Sequence, residues 1–155
     1  MRSTVVTTLA CFSVSALACD PVSNFKMTFY GWADNSPPGP NVAMNCGGRN
    51  GKAAGTGTYD DPLTMAAQVG LFANCELVYA PYLKKYLRLE DTCAGCTGNW
   101  VDVWTGSFTS DPGSGLSSCQ DTLTGSFTAD HTIIQAPPNG LEVDGMYFVS
   151  SIISG

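Results

Sequence analysis

Carboxylates are the side chains of this sequence with the clearest capacity for chemistry. The only histidine, His131, has no nucleophile elbow near it, which argues against a serine–histidine–aspartate triad. A single histidine also excludes metal sites built from several histidines. Hydrolysis of a sugar–sugar bond, by contrast, needs a carboxylic acid with a raised pKa and often a second carboxylate that activates water. The candidates for these two roles are Asp34, Asp60, Asp61, Glu90, Asp91 and Asp102.

Asp102 fits the role of proton donor best. It lies midway between Trp100 and Trp104, in a segment that predicts a strand. Alternate residues of a strand share one face, so these three side chains are expected on the same side. Two indoles beside a carboxyl group would desolvate it, raise its pKa and offer sugar rings a stacking surface. The alternative is a surface aspartate on a solvent-exposed face.

Asp91 is the candidate for the second carboxylate. It ends the segment Tyr86–Asp91, just before the Cys93–Cys96 loop, whose disulfides would hold it rigidly. The alternative is an aspartate that caps a turn. The order Asp60-Asp61-Pro62 favours a turn in which a carboxylate accepts backbone hydrogen bonds, rather than a catalytic pair.

The first 18 residues have the order of features found in a secretory signal peptide. Arg2 precedes an apolar stretch that ends in Ala16-Leu17-Ala18, a small-residue pattern that signal peptidase accepts. The stretch is too short to span a bilayer. We therefore expect a signal peptide at residues 1–18 and a secreted, extracellular protein whose single domain is residues 19–155. The alternative is a buried N-terminal helix.

The cysteines indicate a disulfide framework. After removal of residues 1–18 an even number remains, and in an oxidising compartment this predicts three disulfides, whose pairing the sequence does not decide. Cys93-Ala94-Gly95-Cys96 also has the spacing of half a zinc site or of a thioredoxin-like redox pair. Secretion and the absence of a β-α-β pattern favour structural disulfides. The six cysteines are Cys19, Cys46, Cys75, Cys93, Cys96 and Cys119.

Charge limits the partners of the protein. The mature chain would carry six basic and thirteen acidic residues, a net charge of −7 with histidine neutral. Nucleic acids and anionic membranes need a basic patch, so both are unfavoured as partners, whereas a neutral polysaccharide is not. We expect a monomer that binds polysaccharide and needs no metal or organic cofactor.

Short alternating or apolar runs separated by turn residues predict an all-β domain. Clusters of Pro, Gly and Asn mark the turns, as in 35–39, 45–57 and 137–140. One or two helical turns are the alternative for Thr64–Leu71 and for Ala80–Lys84. The predicted strands are Lys26–Tyr30, Leu63–Ala66, Glu76–Ala80, Lys85–Glu90, Trp100–Trp104, His131–Gln135 and Met146–Ile153.

Four segments resemble, in the correct order, conserved blocks of the double-psi β-barrel superfamily. It contains expansins, barwin-like proteins, rare-lipoprotein-A-type and membrane-bound lytic transglycosylases, and family 45 endoglucanases. The resemblance covers residues 27–106 and implies a six-stranded double-psi β-barrel with loop insertions. The segments are Met27–Gly31, Tyr59–Ala66, Leu87–Cys96, which ends in Asp-x-Cys-x-x-Cys, and Trp100–Trp104.

More narrowly, Thr28–Gly39, Gly55–Pro62 and Tyr79–Tyr86 look like segments of small fungal secreted proteins on this barrel, some of which are muramidases. The resemblance places Asp102 as general acid and Asp91 as second barrel carboxylate. It also places Thr28 and Tyr30 among the residues that contact substrate. Asp34 is the alternative to Asp91, and the aromatic side chains expected to stack on sugars are Trp32, Tyr82, Trp100 and Trp104.

These observations together predict a secreted, polysaccharide-active glycoside hydrolase, most specifically a lysozyme-like muramidase that acts on cell-wall peptidoglycan. The rival is a non-enzymatic wall-binding protein, similar to expansins or cerato-platanins, that uses the same groove without cleavage. A third interpretation is an effector that binds a host protein and uses the barrel only as a scaffold.

Overall fold

The computed structural model describes residues 19–105, 118, 120–121, 124 and 130–145. Its six strands agree closely with the predicted ones, although the first begins several residues earlier than expected. The predicted signal peptide, Cys119 and the predicted strand Met146–Ile153 lie outside the described residues. The strands are β1 Asp20–Tyr30, β2 Leu63–Ala67, β3 Leu77–Ala80, β4 Lys85–Thr92, β5 Trp100–Trp104 and β6 His131–Gln135.

The strands close into one barrel in the order β1–β5–β2–β4–β3–β6. Two neighbouring pairs are parallel, β1 with β5 and β2 with β4, and the other four pairs are antiparallel. The expected six-stranded, all-β barrel is therefore confirmed. The helical alternative for Thr64–Leu71 is wrong over residues 64–67, which belong to β2 and pair with strands on both sides.

The core fills the inside of the barrel with alternate residues of each strand. In β1 these are Phe25, Met27 and Phe29, and in β5 they are Val101 and Val103, all buried. Successive side chains of a strand point to opposite faces, so the residues between them lie on the outer face. The sequence Trp100-Val101-Asp102-Val103-Trp104 thus places Asp102 and both indoles outside, as the alternation predicted.

The long connection from β1 to β2, residues 31–62, covers part of this outer face. It opens with a short 3-10 helix, Trp32–Asp34, and packs Trp32 and Val42 against a second apolar cluster centred on Tyr30 and Trp104. The protein thus has two apolar layers, one inside the barrel and one between the barrel wall and this loop. Residues at the edge of the second layer are available to line a site.

Arg49 fastens the loop to the barrel. Its guanidinium donates to the Glu90 carboxylate on β4 at 3.0 Å and to Asp61 at 2.7 Å. Glu90 is only 2% exposed and also accepts from Arg88, at 2.6 Å, and from the hydroxyl of Thr64. Burial of a carboxylate is costly unless cations and hydrogen bonds compensate it, and here two arginines and a hydroxyl do so.

The predicted turn at Asp60-Asp61-Pro62 is confirmed. The Asp61 carboxylate accepts a hydrogen bond from the backbone N–H of Thr56 at 2.9 Å as well as from Arg49. Gly55 has a φ of +111°, and a Cβ at this position would overlap the Pro62 carbonyl. Only glycine therefore allows this close approach of the two arms of the loop.

Two disulfides are formed by the described cysteines, Cys46–Cys75 and Cys93–Cys96. The first joins the β1–β2 loop to the segment before β3, and the second closes a tight loop after β4. Cys19 has a free, exposed thiol. Cys19 therefore forms no bridge with another described cysteine, and because its remaining candidate partner, Cys119, lies outside the described residues, the third disulfide stays a prediction.

Replacement of Cys46 and Cys75 by alanine should lower the free energy of unfolding by about 3–4 kcal/mol. This crosslink joins residues 29 apart and so restricts a long loop of the unfolded chain. The matched control is the double alanine variant of Cys93 and Cys96, whose separation of 3 predicts a loss of about 1–2 kcal/mol. Urea unfolding followed by tryptophan fluorescence measures both, and equal losses would contradict this explanation.

Candidate functional site

Four strands bring one transverse row of residues together on the outer face. Strand pairing sets Thr28 of β1 opposite Asp102 of β5, Asp102 opposite Ala66 of β2, and Ala66 opposite Asp91 of β4. The two aspartates therefore flank one small residue, and two strand spacings put their backbones roughly 9–10 Å apart. The methyl group of Ala66 leaves the space between the two carboxyl groups open.

A bulge in β4 turns Asp91 toward this row. The pairing of β2 with β4 shifts by one residue between Met65 and Ala66, so Met65 pairs with Leu89 and Ala66 with Asp91. Regular alternation would put Asp91 on the core side with Leu87 and Leu89. The extra residue of the bulge instead leaves Glu90 and Asp91 on the same side, where Glu90 is bound by arginines and Asp91 lines the cleft.

Asp102 is held by a short chain of hydrogen bonds. The Thr28 hydroxyl donates to Asp102 Oδ1 at 2.7 Å, and Trp100 Nε1 donates to the same hydroxyl at 2.8 Å. The Lys26 ammonium lies 3.4 Å from the centre of the Trp100 ring. Burial, the largest influence, raises the pKa of Asp102 from 3.8 to about 6, against a lowering by the Thr28 hydrogen bond. The negative charge of Asp34 raises it further.

Asp91 has hydrogen-bond donors on both carboxylate oxygens. Oδ1 accepts from the backbone N–H groups of Thr92, at 2.9 Å, and Ala43, at 3.1 Å. Oδ2 accepts from the Tyr30 hydroxyl at 3.3 Å. Burial raises the pKa of Asp91 even though these three donors act in the opposite direction. Burial also raises the pKa of Tyr30 well above its ordinary value, so its hydroxyl stays a donor.

Asp34 ends the short 3-10 helix at the rim of the site. Its Oδ2 accepts from the Gly31 N–H at 2.7 Å and from Gln120 Nε2 at 2.8 Å. No donor among the described residues reaches its Oδ1. Asp34 is exposed, so this second oxygen is accessible to water or to a ligand.

These three carboxylates line one cleft of about 620 Å³. Of the residues predicted for the site, Tyr30, Asp34, Asp91 and Asp102 lie on its wall, and Thr28 supports Asp102 from outside it. The described residues that line the cleft are Tyr30, Asp34, Asn35, Ser36, Pro37, Asn41, Val42, Ala43, Ala66, Asp91, Thr92, Cys93, Ala94, Gly95 and Asp102.

The aromatic side chains predicted to stack on sugars do not line this cleft. Trp104 is 2% exposed and meets Tyr30 edge to face at 5.2 Å, so it supports the cleft from below and offers no ring to a ligand. Trp100 is bonded to Thr28 and covered by Lys26. Tyr82 is 57% exposed but contacts His131 at 4.5 Å, away from the lining, and Trp32 packs on the second apolar cluster.

Sequence reasoning missed several wall residues. Val42 and Ala43 approach from the β1–β2 loop, and no pattern in the sequence distinguishes them. Cys93, Ala94 and Gly95 were expected only to brace Asp91, yet they form a wall themselves. Arg49 was also missed, although residues 19–155 contain only two arginines, Arg49 and Arg88, and each was a candidate for a buried ion pair.

The described part of the chain contains no group of three or more His, Cys, Asp or Glu side chains arranged to hold a metal ion. Within the same residues no helix is long and apolar enough to cross a bilayer. What the cleft offers to a ligand is three carboxyl groups together with the polar side chains of Asn35, Ser36, Asn41 and Thr92.

The variant Asp102→Asn should be more stable than the wild type at about pH 8. The folded state raises the Asp102 pKa from 3.8 to about 6, so it binds this proton more tightly than the unfolded state does. The ionisation of this carboxyl group therefore lowers the free energy of unfolding as pH rises from about 4 to about 6. Above that window the loss is about 2–3 kcal/mol. Urea unfolding at about pH 8 and about pH 3.5 tests this.

The gain should vanish at the lower pH, where Asp102 is protonated in both states. The control is Asp20→Asn at the exposed start of β1, which should change stability little at either pH. A gain of equal size at both pH values would show that the asparagine acts through packing and not through charge.

Comparison with known proteins places the chain in a family. A family model described as the DDB_G0273701 N-terminal domain matches residues 22–153. An uncharacterized protein of Dictyostelium discoideum, DDB_G0273701/DDB_G0273221, is 36% identical over 110 residues, which are 66% of this chain and 47% of that protein. The chain thus spans about half the length of the curated relative it matches, and no solved structure matches it. The chain therefore belongs to the family of the DDB_G0273701 N-terminal domain.

Proposed function

We propose that this protein is a secreted glycoside hydrolase on a barrel of the double-psi type, and that it cleaves cell-wall polysaccharide as a muramidase cleaves peptidoglycan. The observation that carries the proposal is Asp102. Its pKa of about 6 keeps it protonated at mildly acidic pH, and it faces a cleft that two other carboxylates share. A glycosidase needs this combination of a neutral acid and an ionised carboxylate in one site.

The parallel pairs β1–β5 and β2–β4 support the barrel type, because each joins strands that are distant in the chain through a crossing connection. Two disulfides support an oxidising, extracellular location. The polysaccharide is the partner, the protein acts as a monomer, and no cofactor takes part.

In this mechanism Asp102 protonates the glycosidic oxygen as the bond breaks. Thr28 binds only Oδ1, and no donor among the described residues reaches Oδ2, which is therefore the oxygen that carries the transferred proton. We propose an inverting reaction, in which a carboxylate across the cleft from the acid activates a water molecule on the opposite face of the sugar.

Asp34 and Asp91 divide the remaining work. Asp91 already accepts three hydrogen bonds that fix its orientation, so it is suited to stabilise positive charge on the sugar ring. Asp34 has an accessible oxygen, and its charge acts on Asp102 across the cleft. Asp34 is thus the better candidate to activate water, and Asp91 to stabilise the oxocarbenium-like transition state.

One observation favours the rival, a wall-binding protein without activity. Both oxygens of Asp91 accept hydrogen bonds, and this is as typical of a structural carboxylate as of a catalytic one. In that case the cleft would bind the glycan, and no variant would change a rate.

Incubation of the purified mature protein with peptidoglycan, chitin and cellulose should release new reducing ends from at least one of them, and Asp102→Asn should lower the rate by about 10²–10⁴-fold. The amide is nearly isosteric with the carboxyl group, so the fold should survive. Wild-type activity should fall above about pH 6 as Asp102 loses its proton. A wild type that cleaves, beside an Asp102→Asn variant of full activity, would disprove the assignment of the acid.

The division between Asp34 and Asp91 is tested by azide rescue of the two asparagine variants. Both substitutions should lower the rate, but added azide should restore turnover only in Asp34→Asn, because a small anionic nucleophile replaces a water molecule that has lost its base. The glycosyl azide formed should have inverted configuration. Rescue of Asp91→Asn alone would assign water activation to Asp91 instead.

A further inference from the structure

The cleft carries negative charge without a compensating cation in its wall. Three of its described lining residues are Asp34, Asp91 and Asp102, and none is Lys, Arg or His. The rest of the chain has the same sign, since the whole chain carries a net charge of −6 and these three residues account for only half of it. Low-dielectric walls concentrate such a field inside a cleft, so the charge acts on a bound ligand more strongly than on an open surface.

Two lysines lie near the cleft without lining it. The Lys26 ammonium lies over the Trp100 ring, and its charge lowers the pKa of Asp102 against the larger effect of burial. The Lys52 ammonium donates to the side chain of the wall residue Asn41 at 3.1 Å. The arginines are also occupied, since Arg49 and Arg88 both bind Glu90. A ligand that carries carboxylates would therefore meet like charge with no partner in the described wall.

Two carboxylate oxygens of the cleft favour a ligand rich in hydrogen-bond donors. Asp34 Oδ1 and Asp102 Oδ2 have no donor among the described residues, so each can accept from a ligand. The Tyr30 hydroxyl, by contrast, is already committed as a donor to Asp91. These two carboxylate oxygens favour the hydroxyl, amide and ammonium groups of a ligand.

We propose that the glycan bound in this cleft is a chain of amino sugars with free, protonated 2-amino groups, recognised by Asp34 at the rim and by the field of Asp91 deeper in the cleft. The inference rests on the proposed function, because it takes the cleft to be a polysaccharide site. N-acetylation would remove the positive charge and the ammonium donors. A wall glycan, peptidoglycan included, is therefore bound more tightly in its de-N-acetylated form, and a uronic acid polymer is the least favoured ligand.

Calorimetric binding in the Asp102→Asn background tests the proposal, since this variant prevents turnover. The probes are a hexamer of glucosamine, a hexamer of N-acetylglucosamine and a hexamer of galacturonic acid, at mildly acidic pH. At an ionic strength of about 0.02 M the glucosamine hexamer should bind about tenfold more tightly than its acetylated counterpart, and the uronate should not bind. At about 0.5 M the preference should shrink to less than about threefold.

Addition of Asp34→Asn should abolish most of the preference, whereas Asp20→Asn, which removes the same charge from the exposed start of β1, should leave it intact. Equal affinity for the two amino-sugar hexamers, tighter binding of the acetylated one, or binding of neither would overturn the inference. A preference lost equally in Asp34→Asn and Asp20→Asn would also overturn it, because net charge would then explain the preference.

Failure of the wild type to release reducing ends would refute the proposed hydrolase activity alone, since these binding results do not depend on cleavage.

Discussion

The buried carboxylate of Glu90 is the constraint on which the site depends. The cost of burying it is offset because Arg88 from its own strand and Arg49 from the β1–β2 loop both bind it. Arg49 reaches it only if the loop folds back across the barrel, so the need to pair one charge fixes the course of more than thirty residues. The same fold brings the backbone N–H of Ala43 to Asp91 and thereby forms the wall of the cleft.

The outer face of the barrel serves the site because the inner face is fully used by the core. Phe25, Met27 and Phe29 fill the interior, which leaves Thr28 and Tyr30 of the same strand to contact Asp102 and Asp91. Side chains on a strand have little freedom to change sides, since a shift by one residue would exchange the two faces. The packing of the barrel therefore fixes the positions of these site residues, in addition to the contacts made by the loop.

Two carboxyl groups of the same cleft differ because their surroundings differ. Asp102 accepts one hydrogen bond from the described residues, and its burial holds its pKa near 6. Asp91 is also desolvated, but three donors favour its ionised form. Surroundings that act differently on two chemically identical side chains are the usual physical means of giving them separate roles in one site. The raised pKa of Asp102 costs folding stability at neutral pH, which is expected of a group retained for chemistry.

The sequence by itself determined the six strands, the turn at Asp61 and the face on which Asp102 lies, because alternation and turn residues are local properties of the chain. It also pointed to the carboxylates as candidate site residues, because the chain has few other side chains capable of catalysis. Only the tertiary structure decided that Asp91 faces the cleft, because a bulge in β4 breaks the alternation that would have buried it. It also decided that Trp104 is buried and that Arg49 holds the loop. These depend on contacts between residues far apart in the chain, and a local pattern carries no information about which distant segment covers a given face.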